Sequence, residues 1–328
     1  VRGAGRHGLA AALTLYALAL ALWLAAPLGF PAEALRHGTP HLAVIGVWLA
    51  STAYALSGWR TALAPATPVL VLSWVWITTD FIAPEPDAPG APFTVAAFNA
   101  HGSAEALARA AAWLQAENVD VIALSEVETM EPDQLRELFS RHPHLLYDTE
   151  TVDFPGSQFT TRIALLSRYP LRGFGDGAEE SDPSYERPAL LARLQAPTAP
   201  IILAVAHPFP PRTQGAVVRR GAMFRDLGLI LSEEERFIVM GDLNVSVWSP
   251  DFNRLPGRRA GDPRFVTTFP AWLARGGIAL DHILVDDSFT LRRAEVGPDL
   301  GSDHRPVLAE LGLQAAPPPR SALSASPR

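Results

Sequence analysis

Six short apolar runs in this sequence end in, or lead out of, side chains that can do chemistry. Asn99 follows Phe93 to Phe98, Glu126 follows Val121 to Ser125, and His207 follows Ile201 to Ala206. Asp242 and Asn244 follow Phe237 to Gly241, Asp281 lies in the run Ile278 to Val285, and Asp303 with His304 precedes Arg305 to Leu313. By type these are four carboxylates (Glu126, Asp242, Asp281, Asp303), two carboxamides (Asn99, Asn244) and two imidazoles (His207, His304). An oxygen-rich set with few nitrogens suits a hard cation, Mg²⁺ or Mn²⁺, better than Zn²⁺. A cation held by one or two carboxylates and completed by substrate phosphate oxygens is the usual arrangement for phosphoryl chemistry. The other groups are then available to activate water and stabilise charge on phosphorus. Taken singly, each polar strand end is ordinary turn chemistry. Six in one region imply a shared pocket.

Other chemistries lack their residues. No His-Glu-x-x-His helix supports a zinc peptidase, and no Gly-x-Ser-x-Gly supports a serine hydrolase. The chain has no Cys, so thiolate ligands and disulfides are excluded. All 27 basic residues are Arg, which removes lysine Schiff-base and P-loop chemistry. From Phe93 to Gly312, 21 Arg face 30 Asp and Glu, a net charge of −9. Proteins that grip duplex DNA gather basic residues instead.

The elements that must position these residues follow from periodicity. Short runs rich in Val, Ile and Phe read as buried strands. They cover 93–101, 120–126, 161–167, 190–194, 201–206, the run from Phe237, 278–285 and 305–313. Helices are expected after Ser103, over Glu131 to Phe139, and over Gly215 to Leu231. Strands alternating with helices and then crowding together predict an α/β layered domain with a mixed sheet system, with catalytic side chains at strand ends. No internal repeat is present. Along a strand His282 points away from Asp281, so a structural role is expected, whereas His101 shares the face of Asn99. Arg162 and Arg168 flank the strand before Ser167 and are candidate phosphate contacts. Arg219 and Arg220 are expected on the solvated side of the long helix.

The first 83 residues differ in kind. Gly8 to Phe30, His41 to Trp59 and Leu63 to Ala83 are apolar stretches of bilayer-spanning length, the third interrupted by Pro65 and Pro68. Arg2 and Arg6 before the first, with the small residues of Pro31 to Ala34 after it, would also suit a signal peptide; two further apolar stretches argue for an anchor. Arg2, Arg6 and Arg60 fall on one side and Arg36 on the other, so the positive-inside rule puts the amino terminus inside and everything beyond Ala83 outside the cytoplasm. Residues 84–92 read as a Pro-rich extended linker, 93–313 as the catalytic domain, and 314–328 as a disordered tail.

At this point the motifs carry a resemblance. Asn99, Leu124-Ser125-Glu126-Val127, Gly241-Asp242-Leu243-Asn244, Leu280-Asp281-His282-Ile283-Leu284 and Gly301-Ser302-Asp303-His304-Arg305-Pro306 resemble, in order and spacing, the motifs of the endonuclease/exonuclease/phosphatase superfamily. That group includes deoxyribonuclease I, abasic-site endonucleases, inositol-polyphosphate 5-phosphatases and neutral sphingomyelinases. The resemblance spans Phe93 to about Leu313. The apolar amino terminus, His207 to Pro211 and Val247 to Pro250 further resemble a bacterial membrane-anchored branch. It implies a four-layer α/β/β/α sandwich, two face-to-face sheets covered by helices. It also implies Glu126 as the main metal carboxylate, with Asn99 and Asp303 nearby. Asp242 would position or deprotonate water, Asn244 would orient the phosphate, and His304, held by Asp281, would contact the scissile group. His207 sets the chain apart from abasic-site endonucleases, which generally lack a His there.

The sequence therefore predicts a multi-pass protein of the bacterial cell membrane with an Mg²⁺- or Mn²⁺-dependent phosphoesterase domain outside the cytoplasm. Its expected partners are a phosphate-containing substrate, with a lipid-linked one favoured by the anchor, and the bilayer; no protein partner is implied. The alternatives are an extracytoplasmic endonuclease and a non-catalytic tethered binding module, and the full complement of site residues argues against the latter.

Overall fold

Strand periodicity builds the catalytic half. In β1 (Ala91–Asn99), Phe93, Val95 and Ala97 face one way and Ala96 and Phe98 the other, and both faces are buried. A strand covered on both faces reads as a continuous apolar run. β1 pairs in parallel with β2 (Val121–Ser125) and antiparallel with β12 (Val307–Leu313). With β3 (His144–Phe154), β4 (Ser157–Ser167) and β11 (Phe289–Val296) they form a six-stranded sheet in the order β11-β12-β1-β2-β4-β3. The computed structural model describes residues 2–154, 157–174, 189–234, 236–264 and 266–313, so the expected tail over 314–328 lies outside the described residues.

The second sheet holds β5 (Leu171–Gly173), β6 (Leu190–Gln195), β7 (Pro200–Val205), β8 (Phe237–Asp242), β9 (Arg258–Arg259) and β10 (Asp281–Val285), in the order β5-β6-β7-β8-β10-β9. It repeats the logic of the first: a parallel central pair, β7 with β8, flanked by antiparallel neighbours. No sequence repeat announces this. The inner faces meet in a seam of Val95, Ala97, Val121, Ala123, Leu203, Val205, Ile238, Met240, Ile283 and Val285. On the outer face of the first sheet, α5 (Ala104–Ala116) and α6 (Pro132–Leu138) supply Leu107, Leu114 and Leu135; on the second, α7 (Gln214–Leu231) supplies Phe224, Leu227 and Leu231. Each such side chain, fully buried, contributes about 1.5–3 kcal/mol. Two mixed sheets flanked by helices form the expected sandwich.

The amino-terminal third corrects the expectation of three spans. α1 (Arg2–Leu24) and α3 (Thr39–Ser57) contain the two helices, among the described residues, that are long and apolar enough to cross a membrane. The third forms as α4 (Trp59–Ile77), with Arg60 in its first turn and Pro65 and Pro68 within it. Between α1 and α3 the chain folds as a 3₁₀ turn and the four-residue α2 (Ala34–His37). Residues 84–92 are not a free spacer. The Glu85 amide donates to Leu291, Ala88 is buried, and Ala91 and Pro92 already pair with Leu313 and Gly312.

Candidate active site

The same period of two that builds the seam delivers polar groups to its end. Inward parity runs Val95, Ala97, Asn99 in β1; Ile238, Met240, Asp242 in β8; Ile283, Asp281 in β10; and Leu203, Val205, His207 beyond β7. Asp281 sits directly opposite Asp242 in the antiparallel register. Glu126 follows β2 with a left-handed φ of 53°, and Asn244 follows β8 with φ of 47°. Non-glycine residues held there carry about 1–3 kcal/mol of strain each and cluster at functional sites. Gly241, at φ 137°, is obligatory: a Cβ would collide with the Ala206 carbonyl.

The groups meet as follows. The Asn99 amide nitrogen donates to Glu126 Oε1 (2.9 Å) and to Asp242 Oδ2 (3.0 Å), while its oxygen accepts from the His101 amide. Asn99 therefore bridges the two carboxylates. His207 Nε2 lies 3.3 Å from Glu126 Oε1 and 3.7 Å from Asp242 Oδ2, and Nδ1 is 3.1 Å from the Thr161 hydroxyl. Asp242 Oδ1 accepts from the Asn244 amide (2.9 Å), and the Asn244 side chain donates to the Pro208 carbonyl (2.9 Å). His304 Nδ1 donates to Asp281 Oδ2 (2.8 Å), leaving Nε2 3.6 Å from Asp242 Oδ2. Asp303 is part-exposed at the rim, its Oδ1 3.5 Å from His101 Nδ1, which is also 3.3 Å from Glu126 Oε2.

The electrostatics follow from burial and charge. Burial raises the Asp242 carboxyl above the usual aspartate range, with the Asp281 carboxylate adding and His304 and His207 opposing. Burial would lower His304, but Asp281 and Asp242 outweigh it and lift the ring to about 10, so it is an imidazolium at neutral pH. His207 is likewise raised against burial by Glu126 and Asp242. Glu126 is held at about 2, because His207, Asn99 and His101 outweigh its own desolvation.

The donor set fits a divalent cation. Ligand atoms of Glu126, His207 and Asp242, and of Asp242, Asp281 and His304, lie within 4.8 Å of one another in each group. His207 Nε2 and Asp281 Oδ1 are buried without a hydrogen-bond partner among the described residues. Three carboxylates gathered with no Arg among them form a concentration of negative charge that a hard cation would balance.

Two expected substrate contacts are corrected. Arg162 has outward parity and is engaged by Glu131 (3.0 Å) and by the Glu128 carbonyl. Arg168 lies beyond the far end of the sheet, where Ser167 pairs with the first residue of β2, and its guanidinium meets Asp120. His282 is buried as expected, donating to the Val245 carbonyl (2.8 Å) and accepting from Arg259 (2.9 Å); burial and Arg259 press it down to about 3. Arg220 is not solvated but 1% exposed. Three contributors escaped the sequence reading. Thr161 touches His207. Thr268 accepts from the Leu280 and Asp281 amides. Ser302 donates to the Asn99 carbonyl and accepts from the His304 amide. Inward parity along β4 would have singled out Thr161; the other two sit in irregular segments with no periodic signal.

The Endonuclease/Exonuclease/phosphatase family model matches residues 96–304. Among solved structures, an endonuclease/exonuclease/phosphatase from Beutenbergia cavernae is similar at 19% identity and a TM-score of 0.55, covering 69% of this chain and 72% of that one. An endonuclease/exonuclease/phosphatase family protein from Bacteroides thetaiotaomicron gives 16% identity and 0.46, covering 69% and 100%. The endonuclease domain of the telomere-specific retrotransposon TRAS1 gives 15% and 0.47, covering 68% and 100%. No curated protein matches the sequence.

Proposed function

We propose that this chain, which belongs to the endonuclease/exonuclease/phosphatase family, is a membrane-anchored, divalent-metal-dependent hydrolase of a phosphoric ester or anhydride presented at a lipid surface. The observation that carries the hydrolytic reading is the meeting of Glu126, His207, Asp242, Asp281 and His304 at one end of the inter-sheet seam. Glu126 and Asp303 would hold Mg²⁺ or Mn²⁺, with His207 adjacent to Glu126. When bound, the cation neutralises charge on the phosphoryl oxygens. Asp242, raised by burial and fixed by Asn99 and the Asn244 amide, orients the attacking water and takes its proton. The water oxygen bonds to phosphorus as the bond to the leaving oxygen breaks in line. His304, kept cationic by Asp281, donates to a phosphoryl oxygen and stabilises the charge that accumulates there.

The lipid-linked reading is supported by one loop. The Ala271 amide donates to the Asp303 carbonyl (2.7 Å), and Phe269 lies against His304 at 5.0 Å between ring centroids. The same loop reaches the start of α3, where His41 Nε2 is 2.6 Å from the Gly276 carbonyl, and it exposes Trp272, 76% accessible. An amphipathic ring beside the end of an apolar helix belongs at a membrane–water interface. The net charge of −9 over residues 93–312 works against a polyanionic substrate.

The test is the full chain in lipid nanodiscs with Mg²⁺, offered a prenyl pyrophosphate, inositol phosphates, sphingomyelin and supercoiled plasmid. Release of phosphate or headgroup from a lipid, with plasmid intact, supports the reading. Plasmid nicking without lipid turnover would replace it with the nuclease. Neither activity, together with no Mn²⁺ binding by calorimetry, would leave a tethered binding module.

A further inference from the structure

The turn that follows Asp242 is held at three consecutive residues by three buried side chains from different parts of the chain. Arg220 Nη1 of α7 donates to the Asn244 carbonyl at 2.7 Å. His282 Nε2 of β10 donates to the Val245 carbonyl at 2.8 Å. The third grip comes from the segment between the two apolar helices: the Ser246 amide donates to His37 Nδ1 at 3.1 Å, and the Ser246 hydroxyl lies 3.0 Å from the same nitrogen. His37 thus carries its proton on Nε2, which faces Glu33 Oε2 at 3.4 Å.

Glu33 closes the arrangement. Its Oε1 accepts from Arg220 Nη2 at 2.7 Å and from the Ser249 hydroxyl at 2.5 Å. Arg220 Nη2 also reaches Asp251 Oδ2 at 3.0 Å. Glu33, Arg220, Ser246, Ser249 and Asp251 are all buried. A guanidinium this deep requires its counter-charges, because an unpaired buried charge is strongly unfavourable. One of the two comes from the anchor. The grip matters because Asn244 sits at a left-handed φ of 47°, a conformation that surrounding contacts must enforce. Its amide is what fixes Asp242 Oδ1.

We infer that Glu33 and His37, in the segment joining the first two apolar helices, are positioning residues for catalysis: with Arg220 they hold the Asn244–Ser246 turn and hence the carboxylate of Asp242. The anchor is then part of the catalytic unit as well as a tether. The inference rests on the hydrolytic reading above and assigns Glu33 and His37 no contact with substrate.

The experiment uses the full chain in detergent with Mg²⁺ and bis(p-nitrophenyl) phosphate, alongside hydrogen-exchange mass spectrometry. Glu33→Gln and His37→Ala are expected to lower kcat about tenfold while KM stays within about twofold, since a misaimed base affects the transition state more than binding. Exchange over Leu243–Ser246 should quicken while Ile238–Met240 stays protected, and Glu33→Asp should recover part of the loss. Gln214→Ala cuts a different anchor contact, the bond from the Phe30 amide, and should leave kcat and exchange unchanged. Should either main variant lose protection throughout β8 and β12, Ser249→Ala, which removes one bond to Glu33, is read by the same criteria. Wild-type kcat and wild-type exchange in these variants would overturn the inference, as would a fall in kcat without faster exchange in the turn. If Asp242→Asn also turned over normally, the hydrolytic reading itself would fail; if only the anchor variants did, the inference alone would.

Discussion

Two buried polar clusters lie on either side of Asn244, and they are built on opposite principles. At the seam, Glu126, Asp242 and Asp281 crowd together with His207 and His304, with no Arg among them. Around the anchor segment, Arg220 is matched by Glu33 and Asp251 and tied in by Ser249 and a backbone carbonyl. The second cluster has its counter-charges within the chain. The first gathers carboxylates and histidines with strongly shifted protonation in one place, which marks it as the candidate functional site. Mutations should separate the two, the first losing far more turnover and the second losing stability along with a smaller part of turnover.

The largest separation is expected at the seam. Asp242→Asn and His304→Ala should each reduce kcat by about 10³-fold or more, and Asp242→Asn should keep the melting temperature within about 3 °C of wild type. Turnover near wild type in either would dissolve the distinction. Chelation with EDTA should abolish activity, and added Mn²⁺ or Mg²⁺ should restore it; activity that survives chelation would remove the cation from the account.

Arg220→Met should lower stability as well as turnover. It removes the guanidinium shared by Glu33 and Asp251, leaving them His37 and Arg254 as cationic neighbours, and should cost about 3 kcal/mol, a fall of roughly 10 °C in melting temperature. A melting point equal to wild type would mean that the cluster is not the closed ion-pair system it resembles.

The clusters also titrate at opposite ends of the pH scale. Burial raises Glu33, but His37, Arg220 and Ser249 outweigh it and hold the carboxyl at about 2 against the usual 4.5. A depressed folded value means stability that is present above pH 4.5 and lost as pH falls towards 2. His304 runs the other way: raised from 6.5 to about 10, it contributes stability fully present below pH 6.5 and lost as pH rises towards 10. In metal-free protein, Glu33→Gln should flatten part of the acid limb and His304→Gln the alkaline limb. Unfolding curves against pH for the two variants check this directly, and overlapping curves would refute it. The smallest effect is expected at Trp272. Its Ala variant should hydrolyse a soluble diester normally but lose about threefold on vesicle-embedded substrate, the modest contribution of one interfacial ring; equal activity on both would sever the rim from the bilayer.

The seam was legible in the sequence because a period of two is a local signal. Asn99, Asp242, Asp281 and His207 each continue the inward parity of an apolar run, so their convergence could be inferred before any coordinates. The anchor cluster offered no such signal. Glu33 stands in Pro31 to Ala34, where small residues suggest a cleavage site, and Arg220 follows Arg219 on a helix where paired charges suggest solvent. Only a contact across 187 residues joins them, and nothing in either neighbourhood encodes it. The segment expected to be the third span shows a related limit: its apolar residues specified a helix, but an apolar helix is not by itself a crossing. Arg168 was misread because adjacency to a strand does not tell which end of the sheet faces the site.

The separation of 187 residues between Glu33 and Arg220 also orders events in the life of the chain. Contacts between distant residues close late, because the intervening loop must first give up its entropy. The amino-terminal segment leaves the ribosome long before α7 exists, and with it the two apolar helices α1 and α3. The turn beside Asp242 therefore receives its last two supports only after the anchor has been made. With α1 and α3 in a bilayer, as proposed, the turn beside Asp242 would be completed only when the amino-terminal helices and the later half of the chain come together.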